Sequence, residues 1–542
     1  MCGVIGSVIT LSLGAILVIG SCIVGFLVVP NVVRNVITGE VVLIENTIQM
    51  ERFERVPFTL NFTVKIFNVT NPQSVLNGGV PFVTEVGPYV YKLHQTREIL
   101  GMNGDVIRYK RHEHFVFDPV LSYPYTEEDV LTIINVPYHA IIQVAETLYP
   151  SLMPLVNLAI DGVFGKNNQP FVNITARELL FDGIPLCQNT GLIATIACNI
   201  IRNIAQGARN IEQLEDDSLV FSILDYKEQL PSEEYEVLRG LDDPADLGRI
   251  LKYGGYNRFR HWAKNPEGGV TPCNQINGTD AGIYPPFVKR SDSIYAINTD
   301  ICRSVELRYE YDTEYKGIPT YRYAANEWLL DNDEGCFCLN ETRGLNREDG
   351  CLLKGAMELY SCVGAFLVLS YPHFLFADNI YRNSVVGMWP DEDKHKIFVD
   401  IEPNTGTPIR GAKRAQFNIF ARPVSGIPAT QTFRTSLVPI LWVDESIILP
   451  DEFVEELTGR LLHSLRLVDI FIPVIIAACC LVLLLGTGLT IRAFLVRNSI
   501  KKTEAVLDSK PQPEVETRPE PETQIEPRSQ PEPRLVENGA TK

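Results

Sequence analysis

Two long apolar runs, one near each end of the chain, restrict this sequence more than any other feature. Between Met1 and Val33 no side chain carries charge, and Val4 to Val29 reads VIGSVITLSLGAILVIGSCIVGFLVV. The second run extends from Leu467 to Ile491, with Asp469 as its one charged residue, at the outer edge. About 20 consecutive apolar residues suffice to cross a bilayer, because a helix satisfies its backbone polar groups internally where no water can. Core helices are rarely so long and so uniformly apolar. Residues 4–30 and 467–491 are therefore read as membrane-spanning helices. The first lacks a positive leading segment and exceeds the roughly 7–15 apolar residues of a cleaved signal, which makes it an anchor.

Flanking charge orients the chain. Arg492, Arg497, Lys501 and Lys502 follow the second run, whereas Asp444, Glu445, Glu455 and Glu456 precede it. Positive flanks stay cytoplasmic. With two spans, both termini face the cytoplasm of a cell-membrane protein, residues 1–3 as a short N-terminus and 492–542 as a tail, and residues 31–466 face outward.

The middle of the chain carries marks of an oxidising, glycosylating compartment. Acceptor triplets N-x-S/T begin at Asn61, Asn68, Asn173, Asn277 and Asn340, all inside the outward segment. Of 12 cysteines, Cys2, Cys22, Cys479 and Cys480 lie at or in the spans. The remainder, Cys187, Cys198, Cys273, Cys302, Cys336, Cys338, Cys351 and Cys362, form an even set, which there implies disulfides whose pairing spacing cannot choose. A zinc site at Cys336-Phe337-Cys338 is disfavoured, because C-x-C is not the usual knuckle and no histidine lies between Cys273 and Cys362. His112-Glu113-His114 would place two imidazoles on one face of a strand, but no third ligand is visible and surface alternation explains the pattern equally well.

Residues 57–125 alternate as antiparallel strands do, with Asn71-Pro72 as a turn and Gly87-Pro88 interrupting a strand. From about 129 to 207 the period changes to helical, through Ile141, Ala145, Leu148, Leu152, Leu155 and Ile160, broken by Pro150 and Pro154. A second helical stretch covers roughly Leu192 to Ala205. From 250 to 450, Gly, Pro, Asn and Tyr predict short strands and long loops. The tail beyond Thr503 interleaves proline and glutamate without aromatics, so it is expected to be disordered.

Several blocks in this order carry a resemblance. Asn277-Gly278-Thr279-Asp280, Pro285-Pro286-Phe287, Asp300-Ile301-Cys302-Arg303-Ser304, Lys316-Gly317-Ile318-Pro319 and Cys336-Phe337-Cys338 lead into Pro372-His373-Phe374, Asp400-Ile401-Glu402-Pro403 and Val438-Pro439-Ile440-Leu441-Trp442. With Asn68-Val69-Thr70-Asn71-Pro72 and Gly87-Pro88-Tyr89 upstream, the chain resembles the class B scavenger receptor family, typified by the fatty-acid translocase. Cys187 with Cys198, and Gly355-Ala356-Met357 running to Cys362-Val363-Gly364, resemble its branch of insect sensory neuron membrane proteins.

The resemblance implies an α+β ectodomain, mostly an antiparallel β-barrel-like body around an apolar tunnel, with an apical helical bundle at about 130–207. It implies disulfides Cys273–Cys336, Cys302–Cys362 and Cys338–Cys351, with Cys187–Cys198 as a fourth. It also implies capture of long-chain hydrophobic ligands, here fatty-acid-derived odorants or pheromones received from a soluble odorant-binding carrier and passed towards the membrane and an odorant receptor complex. The alternatives are an endocytic scavenger or lipid-uptake receptor for lipoprotein-like or apoptotic particles, and adhesion without a tunnel. Lys166, in Gly165-Lys166-Asn167-Asn168, lies near the family's ligand-gathering lysine, a solvated surface lysine being the other reading.

No serine elbow, phosphate loop or helix-borne HExxH appears, so no catalytic residue, cofactor or metal is assigned. A net charge of −18 disfavours nucleic acid as a partner. Cys2, beside the first span, is a candidate for palmitoylation.

Overall fold

A computed structural model describes residues 2–188, 191–206, 208–262, 272–332 and 336–508, the side chains of residues 2, 3, 507 and 508 excepted. Residues 509–542 of the tail and the Cys2 side chain therefore lie outside the described residues, and the disorder expected beyond Thr503 is corrected as far as Asp508, where the second terminal helix continues. The chain divides into two compact units, Met1–Leu27 with Ile470–Lys542, and Val28–Asp469.

In the first unit two helices, each long and apolar enough to cross a membrane, pack through glycine. A Cβ added at Gly14 would come within 2.6 Å of Leu483 Cα, and one at Gly486 within 2.7 Å of Leu11 N. Thr490 Oγ1 donates across the pair to Ser7 O at 3.1 Å. Small residues permit such close backbone approach where lipid removes the hydrophobic drive for helices to associate. Both helices continue beyond the sequence-derived limits: the apolar helical stretches run Val4–Val41 and Asp451–Val506.

The second unit is built on antiparallel sheet. Strands β1 (Leu60–Val69), β2 (Val83–Asn103), β3 (Val106–Phe117), β4 (Pro408–Ala421) and β5 (Ser436–Ile448) form its centre in the order β3-β2-β1-β5-β4. The sheet, thirteen strands among the described residues, extends outward from β3 to Ile250–Tyr253 and from β4 to Ser293–Asn298. The segment Gly278–Thr279 stitches its two end strands together. Ile250 N donates to Gly278 O at 2.9 Å, Thr279 N to Tyr295 O at 3.1 Å, and Ile297 N to Thr279 O at 2.9 Å. Gly278 has φ +81°, and a Cβ there would strike the Tyr295 carbonyl oxygen, so this crossing requires glycine.

Two expectations are corrected. Gly87-Pro88 does not interrupt its strand. β2 passes through it, and the missing proline donor is absorbed by a register shift opposite Val64 and Ile66 of β1. Nor are the strands after residue 250 uniformly short. Arg303–Tyr315, β4 and β5 are among the longest in the molecule, each paired along its length with neighbouring antiparallel strands, and the polar Gln416 and Asn418 of β4 are buried with their hydrogen bonds met by Ser370 and Val368 O.

The helical region holds α1 (Val136–Leu148), α2 (Met153–Phe164) and α3 (Leu192–Ala205). Asn135 caps α1, its side chain accepting from Tyr138 N at 3.3 Å and donating to Asn167 O at 2.7 Å. α1 ends before Pro150, as a residue preceding proline avoids the helical region. The same region also contains a short sheet, Val130–Ile134 with Phe171–Thr175, which helical periodicity did not reveal. Disulfides join Cys187 to Cys198, Cys273 to Cys336, Cys302 to Cys362 and Cys338 to Cys351. A further buried joint centres on Glu358, whose carboxylate accepts from the backbone N–H groups of Leu339, Asn340, Glu341 and Thr342.

Candidate functional site: two cavities and a charged belt

Apolar side chains recurring every three or four residues on α1, α2 and α3 face one another and leave a cavity of about 140 Å³ between them. Among the described residues, Tyr149 and Asn210 supply the only side-chain polar atoms in its lining. Leu152, Leu155, Ile193 and Ile196 line it and are also exposed, giving it an apolar rim. A dry apolar cavity of roughly 150 Å³ already binds small apolar molecules. The helices meet closely, since a Cβ on Gly162 would overlap that of Ala194. The Cys187–Cys198 bridge fastens α3 beside α2, and Cys187 N donates to Val163 O at 2.7 Å.

A second cavity, of about 590 Å³, lies inside the sheet. Ligand sites commonly occupy roughly 300–1,000 Å³. Its wall runs from Val36 and Ile37 on the helix Val29–Val41 and from Leu457 and Leu461 up to the inward faces of β2, β4 and β5. Among the described residues none lines both cavities.

Between two apolar clusters lies a belt of paired charges. Along β3 the inward residues read Ile107 and Tyr109 in one cluster, then Arg111 and Glu113, then Phe115 in the other. Arg111 Nε lies 3.1 Å from Glu113 Oε1, and Glu113 Oε2 lies 3.6 Å from Lys227 Nζ. Lys227 reaches Asp300 at 2.8 Å, and Asp300 lies 3.7 Å from Lys413 Nζ. Lys413 meets Glu445, its cross-strand partner, at 3.0 Å. Arg111, Lys413 and Glu445 line the second cavity. Burial alone would push the Asp300 carboxyl up, but Lys227 and Lys413 hold it well below the usual carboxylate range. Burial likewise opposes ionisation of Lys227, and Asp300 and Glu113 reverse that, so the amine stays protonated.

Beside the belt, Arg97 Nη2 meets Asp280 Oδ2 at 2.7 Å, Tyr109 Oη donates to the same oxygen at 2.9 Å, and Arg97 Nη1 donates to Phe53 O at 2.7 Å. Burial raises the Asp280 carboxyl, but Arg97 and Arg111 outweigh it and bring it down to about 2.

Lys166 is exposed on the turn after α2 and lines neither cavity, although Val163 and Phe164, just before it, line the first. His112 and His114 point outward and pair with Glu98 at 3.1 Å and Glu228 at 2.5 Å. Among the described residues no cluster of histidine, cysteine and carboxylate side chains is arranged to hold a metal. Of the glycosylation acceptors, Asn173 and Asn340 are exposed, whereas Asn61, Asn68 and Asn277 are half-buried. Arg111 and Lys413 belong to no sequence motif that marks a site, and Glu445 figures in the sequence only as acidic flank of the second span. One signal was available: Arg111 and Glu113 fall in step with Tyr109 and Phe115, so charged side chains occupy an apolar strand face.

The CD36 family model matches residues 12–490. Sensory neuron membrane protein 2 of Drosophila melanogaster is 35% identical over 521 residues, covering 86% of this chain and 93% of its own length. The Aedes aegypti protein of the same name is 33% identical, covering 79% and 88%. Sensory neuron membrane protein 1 of Apis mellifera is 33% identical, covering 79% and 80%.

Proposed function

This chain belongs to the CD36 family, the class B scavenger receptors, and on that premise we propose that it is a membrane receptor or co-receptor for long-chain hydrophobic ligands. Residues 31–466 form the extracellular part between spans at 4–30 and 467–491, and both termini are cytoplasmic. Ligand arrives from a soluble carrier at the helical cap, with Lys166 beside the entry, and moves through a barrel-like interior towards the bilayer and an odorant receptor.

The observation that carries this reading is the first cavity: a rimmed, almost wholly apolar chamber among three helices. Each buried methylene contributes about 0.8 kcal/mol, so a chain of a dozen carbons has ample driving force before entropic costs. The second cavity supplies room for onward passage, which requires side chains of the intervening belt to yield.

Mass spectrometry of lipids co-purifying with the intact protein tests the proposal. Long-chain species are expected with the wild type and depleted in Ala159→Trp, which fills the first cavity. A correctly folded wild type that carries none, and binds no long-chain fluorescent lipid, would sink the reading. Lys166→Ala is expected to slow ligand uptake, and unchanged uptake would make Lys166 an ordinary surface lysine.

A further inference from the structure

The charged belt lies between the two apolar clusters and contributes Arg111, Lys413 and Glu445 to the wall of the second cavity, and its composition restricts what head group a ligand there can carry. Arg111, Lys227 and Lys413 face Glu113, Asp300 and Glu445, three cations against three anions. The neighbouring pairs are balanced as well: Arg97 with Asp280, and Arg414 with Asp444 at 3.1 Å. Among the described residues, the cations and anions of the belt and its neighbouring pairs are thus equal in number. An ammonium has three donors, and among the described residues Glu445 and Asp300 are the partners of the Lys413 ammonium. Its side chain keeps 37% exposure while lining the second cavity. Only Glu445, at 3.0 Å, is within hydrogen-bond distance, Asp300 lying at 3.7 Å, so donor capacity is left for an acceptor arriving from the cavity.

We infer that the belt is a head-group station selecting long-chain ligands with a neutral, hydrogen-bond-accepting head, an ester, aldehyde or alcohol oxygen meeting Lys413, over free carboxylates. The physical reason is charge balance. A neutral oxygen takes up the remaining Lys413 donor and leaves every ion pair intact. A carboxylate adds an anion beside Glu445 and Asp300 with no further cation in the belt to match it, and like charges held within a few ångströms disfavour one another. The apolar clusters on either side of the belt then receive the alkyl chain. This rests on the reading that ligands travel inside the molecule, so the test separates the two.

The test is displacement of a bound fluorescent long-chain alcohol from the purified full-length protein near neutral pH, using hexadecyl acetate, hexadecanoate and hexadecane. For the wild type, hexadecyl acetate is expected to compete about tenfold or more better than hexadecanoate. Glu445→Gln removes one anion without changing shape and should narrow that ratio about tenfold, chiefly by improving hexadecanoate. Asp300→Asn makes the same charge change from the other partner and serves if Glu445→Gln misfolds. Lys413→Met should erase the advantage of the acetate over hexadecane. A wild type that prefers hexadecanoate, or a ratio unmoved by removing either carboxylate, overturns the belt's role while leaving internal transport standing. A protein that binds none of the probes overturns both.

Discussion

Arg97 and Asp280, 183 residues apart in sequence, meet at 2.7 Å with side chains only 3% and 2% exposed. The pair holds β2 against the segment that stitches the sheet's ends, since Gly278 and Thr279 immediately precede Asp280. Burying a lone charge costs far more than a well-paired one returns. Asp280→Ala is therefore expected to lower stability by about 3–5 kcal/mol, whereas Arg97→Met combined with Asp280→Leu recovers much of the loss. Thermal unfolding of the three proteins measures this, and a single mutant as stable as the wild type would refute it.

The same carboxyl predicts an acid limb. Its pKa falls from 3.8 to about 2 on folding, so it binds protons more weakly in the native state. The stabilisation, about 2 kcal/mol, is complete above pH 4 and disappears as pH falls towards 2. In Asp280→Asn the unfolding temperature should change less over that window than in the wild type.

A separate window belongs to His139, fully buried in α1, with Nε2 3.2 Å from Pro170 O. Burial pushes its pKa down from 6.5 to about 4. The neutral form is the one the fold accepts, so stability is intact above pH 6.5 and declines by about 3 kcal/mol as pH falls to 4. His139→Phe keeps an aromatic against Phe433 and should flatten this decline. An unchanged slope between pH 6.5 and 4 would assign the loss elsewhere.

Disulfide removal is expected to scale with the loop enclosed. Cys273–Cys336 spans 63 residues and Cys187–Cys198 spans 11. Chain entropy predicts losses of about 4 and about 3 kcal/mol respectively when each pair is replaced by alanine. Equal losses, or the reverse order under non-reducing thermal denaturation, would contradict a dominant entropic term.

Packing of the terminal helices rests on Gly14, whose missing side chain lets Leu483 approach. With Ser7→Cys and Thr490→Cys introduced at the observed 3.1 Å contact, and Cys22, Cys479 and Cys480 replaced by alanine, an oxidative cross-link is expected in membranes. Adding Gly14→Leu should reduce its yield severalfold. An undiminished yield would show that the helices do not pack on that face.

The sequence by itself determined what depends on local period and composition. Apolar length marked the two terminal helices, a helical period marked α3 at Leu192 to Ala205, and alternation marked the inward face of β1. The motifs at Asp280, Asp300 and Asp400 pointed to a family without disclosing that each carboxylate is an ion-pair partner, buried at Asp280 and Asp400 and half-buried at Asp300. Which cation each one meets was decided by tertiary structure alone. Strand pairing brings Lys413 opposite Glu445, and a loop from elsewhere in the chain delivers Asp300 to the same ammonium. Both cavities belong to that second category, because an internal void depends on how several faces fail to fill the space between them, a quantity that no single stretch of residues contains.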